Sequence, residues 1–162
     1  MKQENIAIFP GSFDPITKGH ESIVLRALPL FDKIIVAIGD NTSKKSMFSL
    51  EKRISWLKET FKQYEKVEID SFNSLTVNYC KEKGAKYILR GLRNTMDYQY
   101  EMNIARINNE LNPQVETIFI LTKPEDAAIS SSFVREIITF GGDVQKFIPK
   151  SINITQKDIN HG

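Results

Sequence analysis

The sequence predicts an α/β fold, an open five-stranded parallel sheet with helices on both faces, from three observations. Five short runs rich in Ile and Val recur, at 6–9, 34–38, 67–69, 87–89 and 117–121. Several are continuously apolar rather than alternating, as strands buried on both faces must be. The gaps between them are too long for hairpins and carry helical patterns, so strand and helix alternate through right-handed crossovers.

The elements follow in order. After the first strand, a helical pattern from Gly19 to about Phe31 gathers Ile23, Leu25, Ala27, Leu28 and Phe31, with Pro29 limiting its last turn. The second helix spans 50–61, with Leu50, Ile54, Leu57 and Phe61 on one face and Ser49 as its N-cap. A third covers 74–83 and stops at Gly84, a fourth covers 97–111 before Asn112-Pro113, and a fifth covers 131–140 before Gly141-Gly142. The division expected is one domain over 1–150 and a polar tail over 151–162, with too little apolar surface in the tail to specify structure.

Composition bounds the class. The chain of 162 residues is 41% hydrophobic and 26% charged with a net charge of +2, ordinary for a globular protein and too weakly basic for a nucleic-acid coat. Its only cysteine, Cys80, allows no internal disulfide and fits a reducing compartment. No apolar run approaches the roughly 20 residues of a membrane span. The expected location is cytoplasmic, with no membrane or nucleic-acid partner.

In an open parallel sheet, ligands bind beyond the carboxyl ends of the strands. Beyond the first strand stands Pro10-Gly11-Ser12-Phe13-Asp14-Pro15-Ile16-Thr17-Lys18-Gly19-His20. Gly11 permits close backbone approach, Ser12 offers a hydroxyl and an amide, and Gly19-His20 opens a helix whose N-terminal amides favour phosphate. Beyond the second strand, the loop carries Lys44 and Lys45, of which Lys45 reads as surface charge. Beyond the fourth, Arg90-Gly91-Leu92-Arg93 places two guanidinium groups around a glycine, a pairing that calls for an anion. Beyond the fifth, Ile129-Ser130-Ser131-Ser132 supplies three hydroxyls at a helix start. Other phosphate-loop, metal-ligand and nucleophile-elbow patterns are missing from the sequence. Cys80 reads as packing and His161 as inert.

These strings resemble the nucleotidyltransferase superfamily that carries an H-x-G-H signature. More narrowly they resemble the phosphopantetheine adenylyltransferase family, which reads G-[ST]-F-D-P-[IV]-T-x-G-H, with Thr17 where the broader signature has its first histidine. The strings K-x-x-[MF]-[FS] at Lys44, R-G-[LI]-R at Arg90, D-[FY]-x-Y-E at Asp97 and I-S-S-[ST]-x-[VI]-[RK]-E at Ile129 agree, and the resemblance runs over roughly 6–149.

The resemblance implies a Rossmann-like sheet and adenylyl transfer from ATP to 4'-phosphopantetheine. It assigns His20, Lys44 and Ser12 to catalysis, and Ser12, Lys44, Thr76 and Arg90 to the acceptor. The ATP set is Ser12, Phe13, His20, Gly91, Leu92, Arg93, Glu101, Ile129, Ser130, Ser131 and Ser132. It further implies Mg²⁺ delivered with ATP, no metal held by the protein, and a homo-oligomer, a hexamer in the family. One departure is Asp126-Ala127-Ala128, where relatives often carry an aromatic residue and Ser; if position 126 faces the base, Asp126→Tyr is expected to tighten ATP binding. The alternatives are a related nucleotidyltransferase with another phosphorylated acceptor, and a non-catalytic nucleotide-binding module.

Overall fold

The computed structural model describes residues 4–41 and 43–161. Five parallel strands, β1 (Ile6–Gly11), β2 (Lys33–Gly39), β3 (Val67–Phe72), β4 (Tyr87–Leu92) and β5 (Glu116–Leu121), lie in the order β3-β2-β1-β4-β5. The helices between and after them are α1 (Lys18–Ala27), α2 (Leu50–Phe61), α3 (Thr76–Lys83), α4 (Thr95–Leu111) and α5 (Ser131–Thr139). The expected architecture is therefore present.

The continuous apolar runs have a simple cause. Ala7, Phe9, Ile34, Val36 and Ile38 enter one core cluster with α1, α2 and α5, while Ile8, Ile35 and Ala37 enter another with Val77, Tyr79 and Cys80 of α3. Successive side chains point to opposite faces, so a strand covered on both must be apolar at every position. Edge strand β3 is only half-buried throughout, which is why Asp70 and Ser71 can extend it to Phe72, beyond the expected end.

Helix ends follow local chemistry. α1 stops at Ala27, and Leu28–Leu30 tightens into a 3₁₀ turn around Pro29. Asn94 caps α4 by accepting from the Asp97 amide at 2.9 Å, so that helix starts at Thr95, ahead of the expected 97. Ser49 and Ser130 cap α2 and α5, and Gly84 ends α3 at φ 65°.

The tail corrects an expectation. Ile152 and Ile154 are 5% and 4% exposed and join the larger core cluster, and Gln156–Asp158 forms a 3₁₀ turn. Asp158 takes an ion pair from Lys52 at 2.5 Å, and the Asn160 amide donates to the Met47 carbonyl at 2.8 Å. Two isoleucines spaced to face inward are enough to seat a segment that composition alone reads as polar.

The strand register makes room for a ligand. β1 stays in register with β2 from Ile6 opposite Lys33 to Gly11 opposite Ile38, yet it pairs with β4 only at Ala7 with Tyr87 and Ile8 with Ile88. Beyond that point β1 and β4 part. Pro10, with no N–H to donate, falls where they separate. This is where the strand order reverses, the place an open α/β sheet offers a crevice.

Replacing Ile154 by Ala should cost about 2–5 kcal/mol of stability, the range for truncating a buried aliphatic side chain. Urea denaturation measures it, and a cost near zero means that the tail does not pack.

Candidate active site

Where β1 and β4 part, two lobes open and meet. One of about 520 Å³ lies toward α3 and α4, with Asp40, Phe72, Ser74, Thr76, Ile104 and Asn108 among its walls. The other, of about 390 Å³, lies toward α1 and α5, walled by Phe13, His20, Gly91, Arg93, Ile129 and the three serines. Pro10, Gly11, Ser12, Arg90 and Glu101 border both.

The loop after β1 is held from several sides. The Asp14 carboxylate accepts from the Met47 and Phe48 amides at 2.9 and 3.0 Å. Arg53, 4% exposed, donates to the Ser12 carbonyl at 2.8 Å and the Phe48 carbonyl at 3.1 Å. Arg135 donates to the Asp14 carbonyl and the Ser131 hydroxyl to the Pro15 carbonyl, each at 2.8 Å. Phe13 adopts φ 45°, a left-handed conformation costly for a side chain, and its buried ring packs edge-on to Phe9 and His20. A Cβ at Gly11 would lie 3.0 Å from that ring, and one at Gly91 3.1 Å from the Ile23 side chain on α1, so a larger residue at either position would press on its neighbour.

His20 is oriented by the start of its own helix. The Thr17 amide donates to His20 Nδ1 at 3.0 Å, and the Thr17 hydroxyl accepts from the His20 amide at 3.4 Å, a reciprocal cap. With Nδ1 accepting, the neutral ring carries its proton on Nε2. Burial first, then the positive charges of Arg90 and Arg93, lower the pKa to about 4. Near neutral pH, His20 is thus an uncharged N–H donor on the wall of the α1/α5 lobe.

The arginines come with protein partners, which the sequence pattern did not reveal. Arg90 forks onto Glu101 at 2.9 and 2.6 Å and also donates to the Pro10 carbonyl. Of five guanidinium N–H groups, two remain for a ligand. Arg93 forks onto Asp97 at 2.9 and 3.2 Å. Burial opposes ionisation of Asp97, but the Arg93 hydrogen bonds and the charges of Arg93 and Arg90 outweigh it and lower its pKa. The pattern read as calling for an external anion is answered in this structure by two carboxylates. Glu101, assigned to ATP by resemblance, bonds to Arg90 and borders both lobes.

The serines are also partly committed: Ser130 Oγ caps Phe133, Ser131 Oγ binds Pro15 and Ser132 Oγ accepts from Arg135 at 3.2 Å. Thr76, given to the acceptor by resemblance, lines the α3/α4 lobe. Lys44 does not reach either lobe; it stands exposed on the loop after β2, although Asp40 and Asn41 at the root of that loop line the α3/α4 lobe. Leu92 is buried and lines neither lobe. Asp126 is 9% exposed and lines a groove with Lys18, Glu21 and Lys150, against Gly19, which itself borders the α1/α5 lobe. Arg53 lies outside the strings, and Asp14 and Arg135 lie inside them without an assigned role. What each does depends on partners distant in sequence: Ser12 for Arg53, Met47 and Phe48 for Asp14, and the Asp14 carbonyl for Arg135.

Comparison with known proteins agrees with this geometry. The sequence profile of the cytidylyltransferase-like family matches residues 8–137. A phosphopantetheine adenylyltransferase of Flavobacterium psychrophilum is 51% identical over 91% of this chain and 97% of its own. One from Carboxydothermus hydrogenoformans is 49% identical over 94% of each chain. A bifunctional NMN adenylyltransferase/ADP-ribose pyrophosphatase of Francisella tularensis, crystallised with AMP and a manganese ion, superposes with a TM-score of 0.66 at 18% identity, over 90% of this chain and 44% of that one. That last likeness concerns the fold. The chain belongs to the cytidylyltransferase-like family and, within it, to the phosphopantetheine adenylyltransferases.

Lowering pH tests the His20 environment. Between the ordinary 6.5 and about 4, the unfolded chain binds a proton that folded His20 refuses, so this residue makes stability fall as pH drops through that window. His20→Asn should lose less stability than wild type between about pH 7 and about pH 4.5, by urea denaturation. Equal losses contradict a neutral buried imidazole.

Proposed function

We propose that this protein transfers the adenylyl group of ATP to 4'-phosphopantetheine, releasing pyrophosphate and 3'-dephospho-coenzyme A. The observation that carries the reading is the pair of lobes meeting at Ser12 and Arg90 beside His20, in a chain half-identical to relatives of that name. ATP occupies the α1/α5 lobe, with its triphosphate toward Arg93 and the amides that open α5. The acceptor occupies the α3/α4 lobe, with its phosphate at Ser12 and Arg90 and its arm past Thr76.

The acceptor phosphate is largely ionised near neutral pH, so no general base is needed. One of its oxygens attacks the α-phosphorus, the bond from that phosphorus to the bridging oxygen breaks, and pyrophosphate leaves with the electron pair. The protein must hold two anions in line and stabilise the charge that develops between them. His20 Nε2–H donates to a non-bridging α-phosphate oxygen. Being neutral, it does so without losing a proton needed elsewhere. Lys44 is assigned to the developing charge by resemblance alone, since it stands exposed and lines neither lobe.

Mg²⁺ enters as part of the MgATP substrate. Among the described residues no group of three His, Cys, Asp or Glu side chains is arranged to hold a metal, and the cleft carboxylates Asp97 and Glu101 are engaged by arginines. A hard cation of this kind would take phosphate oxygens and water as ligands. A homo-oligomer, a hexamer by resemblance, is proposed because α4 leaves Met96, Tyr100, Ile107 and Leu111 exposed. No helix among the described residues is long and apolar enough to cross a membrane. A cytoplasmic location fits the single buried thiol of Cys80.

Pyrophosphate release with MgATP and a panel of phosphorylated acceptors tests the assignment. 4'-Phosphopantetheine should be preferred by orders of magnitude; preference for a nucleotide or sugar phosphate refutes it. His20→Ala should lower turnover about 10²–10³-fold with ATP affinity little changed. Turnover within about fivefold of wild type removes His20 from the mechanism.

A further inference from the structure

The wall of the α3/α4 lobe is built from the end of β3 and the start of α3, which contribute Phe72, Ser74 and Thr76. The connection between them gives α3 no side-chain cap, because its N-cap residue is Leu75. What joins the two elements is a cluster behind the wall, outside every motif in the sequence. Tyr79 of α3, 2% exposed, stacks flat on Phe72, with ring centroids 4.5 Å apart and planes at 9°. Its hydroxyl donates to Asp70 Oδ2 of β3 at 2.7 Å. Lys83, one turn further along α3, reaches the same oxygen at 2.7 Å and lies 5.6 Å from the centroid of the Tyr79 ring.

We infer that Tyr79, Asp70 and Lys83 form a positioning device that fixes the Phe72 ring as a wall of the acceptor lobe, and that this device sets acceptor affinity. Phe72 has Gly39 on one side, where a Cβ would lie 3.6 Å from its ring tip, and Tyr79 stacked on it. Its carbonyl accepts from the Asp40 amide at 2.7 Å, which ties the Phe72 backbone to the root of the loop after β2. The ring therefore keeps its place only while Tyr79 keeps its own, and Tyr79 is fixed at its far end by Asp70.

Titration behaviour agrees. Burial opposes the Asp70 charge, but hydrogen bonds from Lys83, Tyr79 and the Ser71 amide outweigh it and hold its pKa below the usual carboxylate value. Burial, then the hydrogen bond to Asp70, raises that of Tyr79. The hydroxyl stays a donor and the carboxylate an acceptor across the working pH range.

This inference rests on the acceptor assignment above. Tyr79→Phe keeps the stacked ring and removes only its tether. The expected result is a rise of about three- to tenfold in KM for 4'-phosphopantetheine, with kcat and KM for ATP within about twofold of wild type. Val77→Ala, a buried change on α3 outside the lobe wall, should lower Tm without moving the acceptor KM. Tyr79→Phe with an unchanged acceptor KM, or Val77→Ala raising it as much, overturns the positioning role and leaves the function standing. Wild-type enzyme that fails to turn over 4'-phosphopantetheine overturns the function and this inference with it.

Discussion

Everything at the site depends on the parting of β1 and β4. Two parallel strands that pair at only two positions leave backbone groups without a ladder. Arg90 supplies part of the remedy: from β4 it donates to the Pro10 carbonyl of β1, so a side chain bridges the gap where main chain no longer does. Glu101 from α4 then balances the charge and fixes the plane of the guanidinium. The crevice is thus a sheet held slightly open by an arginine, and the same arginine borders both lobes. Without this wedge, neither lobe would have a shared floor on which two substrates could meet.

The loop after β1 shows a related economy. Its carbonyls at Ser12, Asp14 and Pro15 are taken by Arg53, Arg135 and Ser131, which come from α2 and α5. Holding the carbonyls away from the cleft is what a phosphate site requires, because carbonyl oxygens would repel the ligand. Thr17 adds the last constraint. By using Nδ1 of His20 as a helix cap, it decides which ring nitrogen carries the proton. A histidine at position 17 would keep that main-chain donor but lose the hydroxyl that accepts from the His20 amide.

The fold was legible in the sequence because its signal is periodic. Ile34, Ile35, Val36, Ala37 and Ile38 declare a strand covered on two faces, and Leu50, Ile54, Leu57 and Phe61 a helix with one buried face. Local signals at caps, Ser49, Ser130 and Gly84, were equally readable. Of the site, the parts carried by contiguous strings were legible: His20, Arg90, Gly91, Arg93 and Ser130 do line the cleft. The illegible parts are pairings. That Glu101 would bond to Arg90, or Asp14 to amides 33 and 34 positions away, depends on where the chain returns in space, which no window of sequence contains. Lys44 illustrates the converse: a string can mark a residue that stands exposed, outside the lining of both lobes. The tail was illegible because three isoleucines, Ile152, Ile154 and Ile159, among polar residues are too few to declare an element.

The two arginine pairs, chemically alike, differ in what they allow. Glu101 has a side chain only 10% exposed, so freeing it from Arg90 would strand a buried carboxylate, at a cost of several kcal/mol. Under the proposed function that pair would persist, and Arg90 would meet the acceptor phosphate with its two remaining N–H groups. Arg93 and Asp97 are 36% and 24% exposed, and such a pair is worth about 0–1 kcal/mol. A polyphosphate carrying several charges outbids a single solvated carboxylate, so Arg93 can change partners. Under the proposed function, rigid Arg90 would set the place of the acceptor phosphate, while Arg93 would supply charge that follows the nucleotide. The division matches what in-line transfer demands: an attacking group held still, and a leaving group whose growing charge can be tracked.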